Sequence, residues 1–352
     1  MFCFFIWTSL SVFVFAQSND DEVVKIDTSI VINDVQVLDK KGKDVKGLKK
    51  KNFVITEDNV PQEIESFALG DDAAIPRSIV LIMDYSGSQK SYIDTSVEAA
   101  KTLVDKLNPR DRIAVLTDDV RMLSSFTSDK ELLKKRLDTL KTLSSTKKFG
   151  ASQQYSALHA ALSKLFGDED VRPIVIFQTD GDEIYWLPKR GFTFEDILKA
   201  AEKARVTIYS IIPGPKFIGV NKKEQQRLAE NEIQNSQTDR SAAGNSGVIN
   251  SSYTIPENVV KSYVKAMLKQ HAALSKVAES SGGFVDYLIS PNQAGVVYSR
   301  ILQGINNRYV LGYYPTNQAR DGTRRMVKVE VRGHPEYTVI GRKTYYAPES
   351  GK

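Results

Sequence analysis

The middle of the chain alternates short apolar runs with amphipathic segments. Nearly continuous apolar runs occur at residues 78–83, 112–116, 173–177 and 206–212. Such runs are typical of strands that are buried on both faces of a sheet. Between them, apolar residues recur at helical spacing, as at Ile93, Val97 and Ala100. The pattern predicts an α/β fold with a doubly wound, mostly parallel, Rossmann-like sheet that helices cover on both faces.

The two ends of the chain show a strand pattern instead. Residues 23–70 and 308–346 contain β-branched and alternating runs separated by turns. Neither zone is large enough to form a stable core alone, so we expect the two to pair as one flanking β domain. The α/β domain is predicted to span 76–290, with a polar insertion at about 214–256. Within that insertion, residues 221–235 indicate a polar helix, and 235–252 are rich in Ser, Gly, Asn and Gln.

The first sixteen residues predict export. Residues 1–16 contain no charged side chain, and they are followed at once by polar residues. This length suits a signal peptide better than a membrane span, and Val14 and Ala16 have the small side chains that signal peptidase requires. Cleavage after Ala16 would leave a protein without a stable transmembrane span. We expect that protein to be periplasmic, attached to the cell surface or secreted. An uncleaved N-terminal anchor is the alternative.

Composition excludes several functional classes. The chain has 352 residues, a formal net charge of +5, one cysteine and three histidines. Cys3 lies in the predicted signal peptide, so thiol catalysis is excluded. The histidines lack the spacing of zinc ligands or of a catalytic triad. No basic stripe, nucleic-acid module or phosphate-binding glycine loop is present, so neither a nucleic-acid partner nor a nucleotide is expected.

Oxygen-bearing side chains follow two of the predicted strands and precede one helix. Asp84, Ser86 and Ser88 come directly after the run at 78–83, Asp180 follows the run at 173–177, and Ser152 precedes an amphipathic helix. The carboxyl ends of parallel strands meet at one edge of a sheet, where ligands bind. Carboxylates and hydroxyls suit a hard cation, Mg²⁺, Mn²⁺ or Ca²⁺.

These residues resemble a known metal site. The D-x-S-x-S motif at 84–88, with Ser152 and the Thr-Asp-Gly at 179–181, resembles the metal-ion-dependent adhesion site of von Willebrand factor type A (VWFA) domains. Segments at 47–58 and 309–315 are similar to segments of exported bacterial "VWFA-related" proteins, first noted in acidobacteria. The resemblance implies metal ligation by Asp84, Ser86 and Ser88, with Asp180 acting directly or through water.

The third loop departs from the family pattern. Ser152 stands where the family usually has Thr; its hydroxyl can still ligate, although its side chain is less restricted. Gln153, Gln154 and Ser156 differ from the usual Leu-Tyr-Asp run of the family.

The resemblance implies a non-enzymatic binding protein. The metal would present an open coordination position to an acidic residue of a protein partner. One alternative is a scaffold protein with a vacant or degenerate metal site. Another is a metal-dependent phosphohydrolase with Asp84 as nucleophile, but Ser86 stands where such enzymes usually carry a second, acid/base aspartate.

Overall fold

The structure is a computed structural model, and it describes residues 30–72, 76–146, 153–167, 172–181, 191–215, 217–242 and 255–349. The predicted signal peptide at 1–16 and Ser152 lie outside the described residues.

The described part of the chain contains three β-sheets and helices that pack mainly on one of them. The strands are β1 (Val31–Leu38), β2 (Phe53–Glu57), β3 (Val60–Gln62), β4 (Ile64–Leu69), β5 (Arg77–Met83), β6 (Arg112–Thr117), β7 (Met122–Thr127), β8 (Arg172–Gln178), β9 (Thr207–Pro213), β10 (Val285–Leu288), β11 (Tyr309–Tyr313), β12 (Arg324–Val331), β13 (Thr338–Ile340) and β14 (Thr344–Tyr346). The α-helices are α1 (Lys90–Lys106), α2 (Lys130–Thr146), α3 (Gln154–Lys164), α4 (Phe194–Ala204), α5 (Lys222–Ala242), α6 (Glu257–Ser280) and α7 (Ala294–Asn306). None of these helices combines the length and the apolar character needed to cross a membrane.

The central sheet confirms the predicted fold class. Its strand order is β10-β9-β8-β5-β6-β7, and every neighbouring pair is parallel except β6 and the antiparallel edge strand β7. All seven residues of β5 and all seven of β8 are buried, as expected for strands covered on both faces. The four predicted apolar runs are β5, β6, β8 and β9.

Helices cover both faces of this sheet and form two cores. Alternate residues of β5 point to opposite faces: Leu81 packs in a core with α1, α2 and α7, whereas Ile82 packs in a core with α3, α4 and α6. Burial on both faces and parallel pairing with β6 and β8 hold β5 in place, and with it the loop that follows.

The N- and C-terminal strands form a β-sandwich, as the predicted pairing of the two ends requires. One four-stranded sheet has the order β13-β1-β11-β4 and the other β14-β12-β2-β3, so each sheet mixes strands from both ends. All strand pairs in both sheets are antiparallel. Apolar residues such as Val35, Ile55 and Leu311 form the core between the sheets. The domain boundaries themselves stay a prediction.

Three elements of the α/β part were not expected from the sequence or extend beyond the expectation. The edge strand β7 and the helix α7 were not predicted. Helix α7 lies beyond residue 290, the predicted end of the α/β domain, but its residues Val297 and Ile301 pack in the same core as α1. The polar helix of the insertion continues to Ala242 rather than ending near residue 235, so the Ser/Gly/Asn-rich stretch is partly helical.

A buried ion pair connects the central sheet to the sandwich. Arg172, at the start of β8, donates from Nε and Nη2 to Asp34 Oδ2 on β1 at 3.1 and 2.9 Å, and from Nη1 to the carbonyl oxygen of Gly70 at 3.0 Å. Both side chains of the pair are almost completely buried. Removal of one partner would leave the other charge buried without compensation.

We expect Arg172→Met to lower the free energy of unfolding by about 3–5 kcal/mol, because Asp34 loses its counter-charge in a buried place. Urea denaturation measures this. The control is Lys203→Met, which removes an ion pair with Glu349 whose side chains are both more than 40% exposed, and which should cost less than about 1 kcal/mol. Equal effects of the two substitutions would contradict the structural role of the buried pair.

A second link joins α4 to the sandwich. Glu202 accepts hydrogen bonds from Arg324 Nε and Nη2 at 2.9 and 2.8 Å and from the Thr344 hydroxyl at 2.8 Å. Burial opposes ionisation of Glu202, but the hydrogen bonds from Arg324 and Thr344 outweigh it and hold its pKa below the usual value. The folded state therefore binds a proton at this carboxyl less readily than the unfolded state does.

The lowered pKa of Glu202 predicts a pH-dependent contribution to stability. The contribution is complete above the unfolded-state pKa of about 4.3 and is lost as the pH falls through the lower folded-state value. We expect Glu202→Gln to cost about 1–3 kcal/mol at pH 7 and progressively less below pH 4. Urea denaturation of both proteins between pH 7 and pH 3 tests this; a cost that stays constant over that range would refute the linkage.

Candidate metal centre

The predicted site residues lie at the point where the strand order of the central sheet reverses. From β5 the chain continues through β6 to β7 on one side, whereas β8, β9 and β10 lie on the other side. The carboxyl ends of β5 and β8 therefore border a crevice between two connections that leave in opposite directions. In open α/β sheets, ligands bind at such a crevice.

The loop after β5 directs one carboxylate and two hydroxyls into this crevice. Asp84 is completely buried, and its Oδ1 accepts a hydrogen bond of 2.9 Å from the backbone N–H of Ser86. This contact holds the turn that leads into the 3₁₀ turn Gly87–Gln89 and then into α1. The Ser86 and Ser88 hydroxyl oxygens lie 3.1 Å apart, with Ser86 half-buried and Ser88 exposed.

The loop after β8 supplies the second carboxylate. Asp180 is 8% exposed, and its Oδ2 accepts hydrogen bonds from the Ser88 hydroxyl at 2.5 Å and from Gln89 Nε2 at 2.7 Å. The two loops are therefore directly connected through Ser88. The structure brings together Asp84, Ser86, Ser88 and Asp180, while Ser152, the fifth predicted residue, lies outside the described residues.

A glutamine that was not predicted as part of the site lies between the two carboxylates. Gln154, the first residue of α3, is 1% exposed. Its Nε2 lies 2.8 Å from Asp84 Oδ2 and 3.3 Å from Asp180 Oδ1, and it donates to both. Its Oε1 accepts a hydrogen bond of 3.1 Å from the backbone N–H of Gly181. The sequence shows Gln154 only as a departure from the family pattern.

Gly181 has a backbone conformation that allows this contact. Its φ of +81° lies in the left-handed region, which L-residues with a Cβ rarely adopt. Its N–H contacts both Gln154 Oε1 and, at 2.9 Å, the Thr179 hydroxyl. The Thr179 hydroxyl in turn lies 3.4 Å from Asp84 Oδ2. The Thr-Asp-Gly sequence therefore supports both carboxylates.

The negative charge at the site is concentrated in a buried place. Burial raises the pKa of the Asp84 carboxyl well above its usual range, and the neighbouring carboxylates of Asp118 and Asp180 raise it further. Asp118 follows β6 and is completely buried, and its Oδ1 accepts a hydrogen bond of 3.2 Å from the backbone N–H of Tyr85. Sequence analysis did not identify Asp118, although it also follows a buried strand.

One histidine contacts the site through the backbone. His271, on α6, is 3% exposed, and its Nε2 lies 3.1 Å from the carbonyl oxygen of Asp180. Burial lowers the pKa of His271, which favours the neutral ring. A neutral ring with the proton on Nε2 donates to this carbonyl, so His271 positions the Asp180 loop.

The residues fit a hard divalent cation. Two ligands that each lie about 2.1 Å from Mg²⁺ at adjacent octahedral positions are separated by roughly 3 Å, and the Ser86 and Ser88 oxygens are 3.1 Å apart. A cation would also compensate the buried charge around Asp84. Within the described ranges, no three His, Cys, Asp or Glu side chains are placed to hold a metal ion. A cation here would therefore depend on the serine hydroxyls as well as on carboxylates.

Several solved structures are similar to this chain at low sequence identity. BatB from Bacteroides thetaiotaomicron is 16% identical, with coverage of 65% of this chain and 98% of that one, and a TM-score of 0.42. Proximal thread matrix protein 1 from the mussel byssus, in a structure with a zinc-occupied metal-ion-dependent adhesion site, is 16% identical over 65% and 48% of the two chains, with a TM-score of 0.39. The present chain thus spans about half the length of the mussel protein.

Manganese-loaded TRAP protein from Plasmodium vivax is 14% identical, with coverage of 80% of this chain and 83% of that one, and a TM-score of 0.33. No curated protein sequence is similar enough to this chain to count as a relative.

The family assignment depends on a match within the chain itself. Residues 79–183 match the model of the von Willebrand factor type A domain. The match begins on β5, extends past β8, and includes the loops that carry Asp84 and Asp180. The fold around these loops is the doubly wound sheet described above. Residues 79–183 of the chain therefore match a von Willebrand factor type A domain.

Proposed function

We propose that this protein is an exported, non-enzymatic binding protein that holds a divalent cation, Mg²⁺, Mn²⁺ or Ca²⁺, at an adhesion-type site and uses it to bind a protein partner. The observation that carries the proposal is the convergence of Asp84, Ser86, Ser88 and Asp180 at the reversal point of the sheet. Ser152 belongs to the proposed site by its position in the motif.

The distribution of exposure supports binding of a partner at this site. The carboxylates of Asp84 and Asp180 lie at the buried end of the site, whereas Ser88 is exposed and Ser86 half-exposed. Residues of this chain would therefore hold a cation from its buried side and leave the solvent side of the site accessible. When bound, the cation would offer that side to an acidic side chain of the partner, because two carboxylates leave room for further oxygen ligands.

The environment of Asp84 argues against phosphoester hydrolysis with this residue as nucleophile. Its side chain is completely buried, and both of its carboxylate oxygens accept hydrogen bonds. An oxygen in this position is a poor nucleophile, because nucleophilic attack requires access to the substrate. Ser86, two residues later, lacks the carboxyl group that would serve as acid and base.

We expect Mn²⁺ or Mg²⁺ to stabilise the wild-type protein against unfolding. At a free concentration one hundred times its dissociation constant, a ligand that binds only the folded state raises the free energy of unfolding by about 2.7 kcal/mol. Asp84→Asn should abolish this metal-dependent increase, since the amide removes the charge from the innermost ligand. Thermal unfolding with metal and with chelator measures both proteins.

The matched control for this experiment is Asp119→Asn. Asp119 lies at the same edge of the sheet, but its carboxylate contacts the Tyr85 hydroxyl at 2.6 Å and the Thr117 hydroxyl at 2.5 Å. This variant should retain the metal-dependent increase. The proposal fails if the wild-type protein shows no increase at millimolar metal.

The proposal also predicts metal-dependent capture of a partner. The mature protein, immobilised and exposed to proteins of the cell envelope and medium, should retain a partner in Mg²⁺ and release it in chelator. The Asp84→Asn protein should retain none of that partner. Retention that is indifferent to both chelator and Asp84→Asn would favour a scaffold role that does not use the metal.

A further inference from the structure

We propose that the side-chain amide of Gln154 is an internal competitor of the cation: it joins Asp84 to Asp180 in the metal-free protein and has to leave them when a divalent cation binds. This inference rests on the proposed function, because it concerns how the same site is loaded. It assigns to Gln154 a role in setting the metal affinity.

The first step of the argument is the set of hydrogen bonds that the carboxylates accept without a cation. Asp84 Oδ1 accepts from the Ser86 N–H, and Asp84 Oδ2 accepts from Gln154 Nε2. Asp180 Oδ2 accepts from Ser88 and Gln89, and Asp180 Oδ1 accepts from Gln154 Nε2. All four carboxylate oxygens are thus partnered, which lowers the cost of burying both groups.

Gln154 differs from the other donors because it is the one in this set that contacts both carboxylates. A primary amide nitrogen carries two hydrogens, and Gln154 Nε2 directs them to Asp84 and to Asp180. It therefore provides positive partial charge between two negative groups. A bound cation would provide the same compensation with a full charge.

The orientation of the amide is fixed by its oxygen. Gln154 Oε1 accepts from the Gly181 N–H at 3.1 Å, so rotation of the amide by 180° would place its oxygen against two carboxylates and its NH₂ group against an N–H. That orientation loses the three hydrogen bonds named here, to Asp84, to Asp180 and from Gly181. Gln154 therefore presents donors, not a metal-ligating oxygen, to the crevice.

A cation that bridges the two carboxylates would need the space that Gln154 Nε2 fills between Asp84 Oδ2 and Asp180 Oδ1. A cation that coordinates Asp84 Oδ2 would face the positively polarised hydrogens of Gln154 Nε2, which lies only 2.8 Å from that oxygen. A metal ion in this space would therefore displace Gln154 Nε2 from Asp84 and Asp180. The free energy of these charge-assisted hydrogen bonds is subtracted from the intrinsic metal affinity.

The test compares Mn²⁺ affinity and metal-free stability in wild-type protein and Gln154→Leu. The leucine has a similar volume but no hydrogen-bond donor. We expect Gln154→Leu to bind Mn²⁺ about tenfold more tightly, because two charge-assisted hydrogen bonds no longer compete. In chelator, we expect its melting temperature to fall by roughly 3 °C, because the buried carboxylates lose a donor. Free Mn²⁺ is counted by electron paramagnetic resonance, and unfolding is followed by circular dichroism.

The control is Gln153→Leu, the same change one residue earlier, at a position whose backbone N–H contacts the carbonyl oxygen of Asp118. It should leave the Mn²⁺ affinity unchanged. Asp84→Asn combined with Gln154→Leu should abolish binding, which shows that the ion counted occupies this site. Should Gln154→Leu fail to fold, Gln154→Asn takes its place, because the shorter amide keeps the polarity but does not reach both carboxylates.

The outcomes separate this inference from the function on which it rests. Tighter Mn²⁺ binding by Gln154→Leu than by wild type supports it, as does binding by Gln154→Leu alone. Equal or weaker binding by Gln154→Leu, while wild type binds, overturns the competitor role and leaves the metal site standing. No binding by any variant at millimolar Mn²⁺ overturns both.

Discussion

The central constraint on this molecule is the burial of two carboxylates from separate strands beside each other. Asp84 and Asp180 lie at the ends of β5 and β8, which are neighbours in the sheet, and the Gln154 nitrogen contacts both. Burial disfavours the ionised form of Asp84 and is the largest cause of its raised pKa. Repulsion from the neighbouring carboxyl groups of Asp118 and Asp180 raises that pKa further. The two carboxyl groups accept hydrogen bonds that lower the cost of burying them. The donors are Ser88, Gln89, Thr179 and the Ser86 backbone N–H.

The rest of the domain holds these groups in place. Two helix layers bury both faces of β5 and β8, and α6 fixes the Asp180 loop through His271. The β-sandwich is joined to the α/β part through buried contacts, including those of Arg172 and Glu202. Within the sandwich, the buried Glu57 pairs with Arg325 and accepts hydrogen bonds from the hydroxyls of Tyr313 and Tyr345. The same rule thus applies throughout: each buried carboxylate named here has charged or polar donors against it.

The fold and the first two loops of the site could be predicted because their signals are local. The run before Asp84 is apolar at nearly every position, which identifies a central strand, and the motif follows it directly. Gln154 could not be predicted, because a glutamine in the first turn of a helix is ordinary at an exposed position, and only the packing of α3 on β5 directs it inward. Strand β7 could not be predicted because its sequence lacks the continuous apolar run that identified the other strands of the sheet. It lies at the edge of the sheet, where it is partly exposed and irregularly paired with β6.

The position of β1 has a consequence for how the polypeptide acquires its structure during synthesis. Strand β1 is paired on one side with β11 and on the other with β13, so both of its neighbours are made almost three hundred residues later. The α/β part, in contrast, is continuous and could assemble while translation proceeds. Until β11 and β13 have been synthesised, the apolar face of β1, with Val31, Val35 and Val37, has no neighbouring strand to pair with. The nascent chain therefore exposes an aggregation-prone strand for most of its synthesis, and binding by a chaperone would protect that strand until the last segments leave the ribosome.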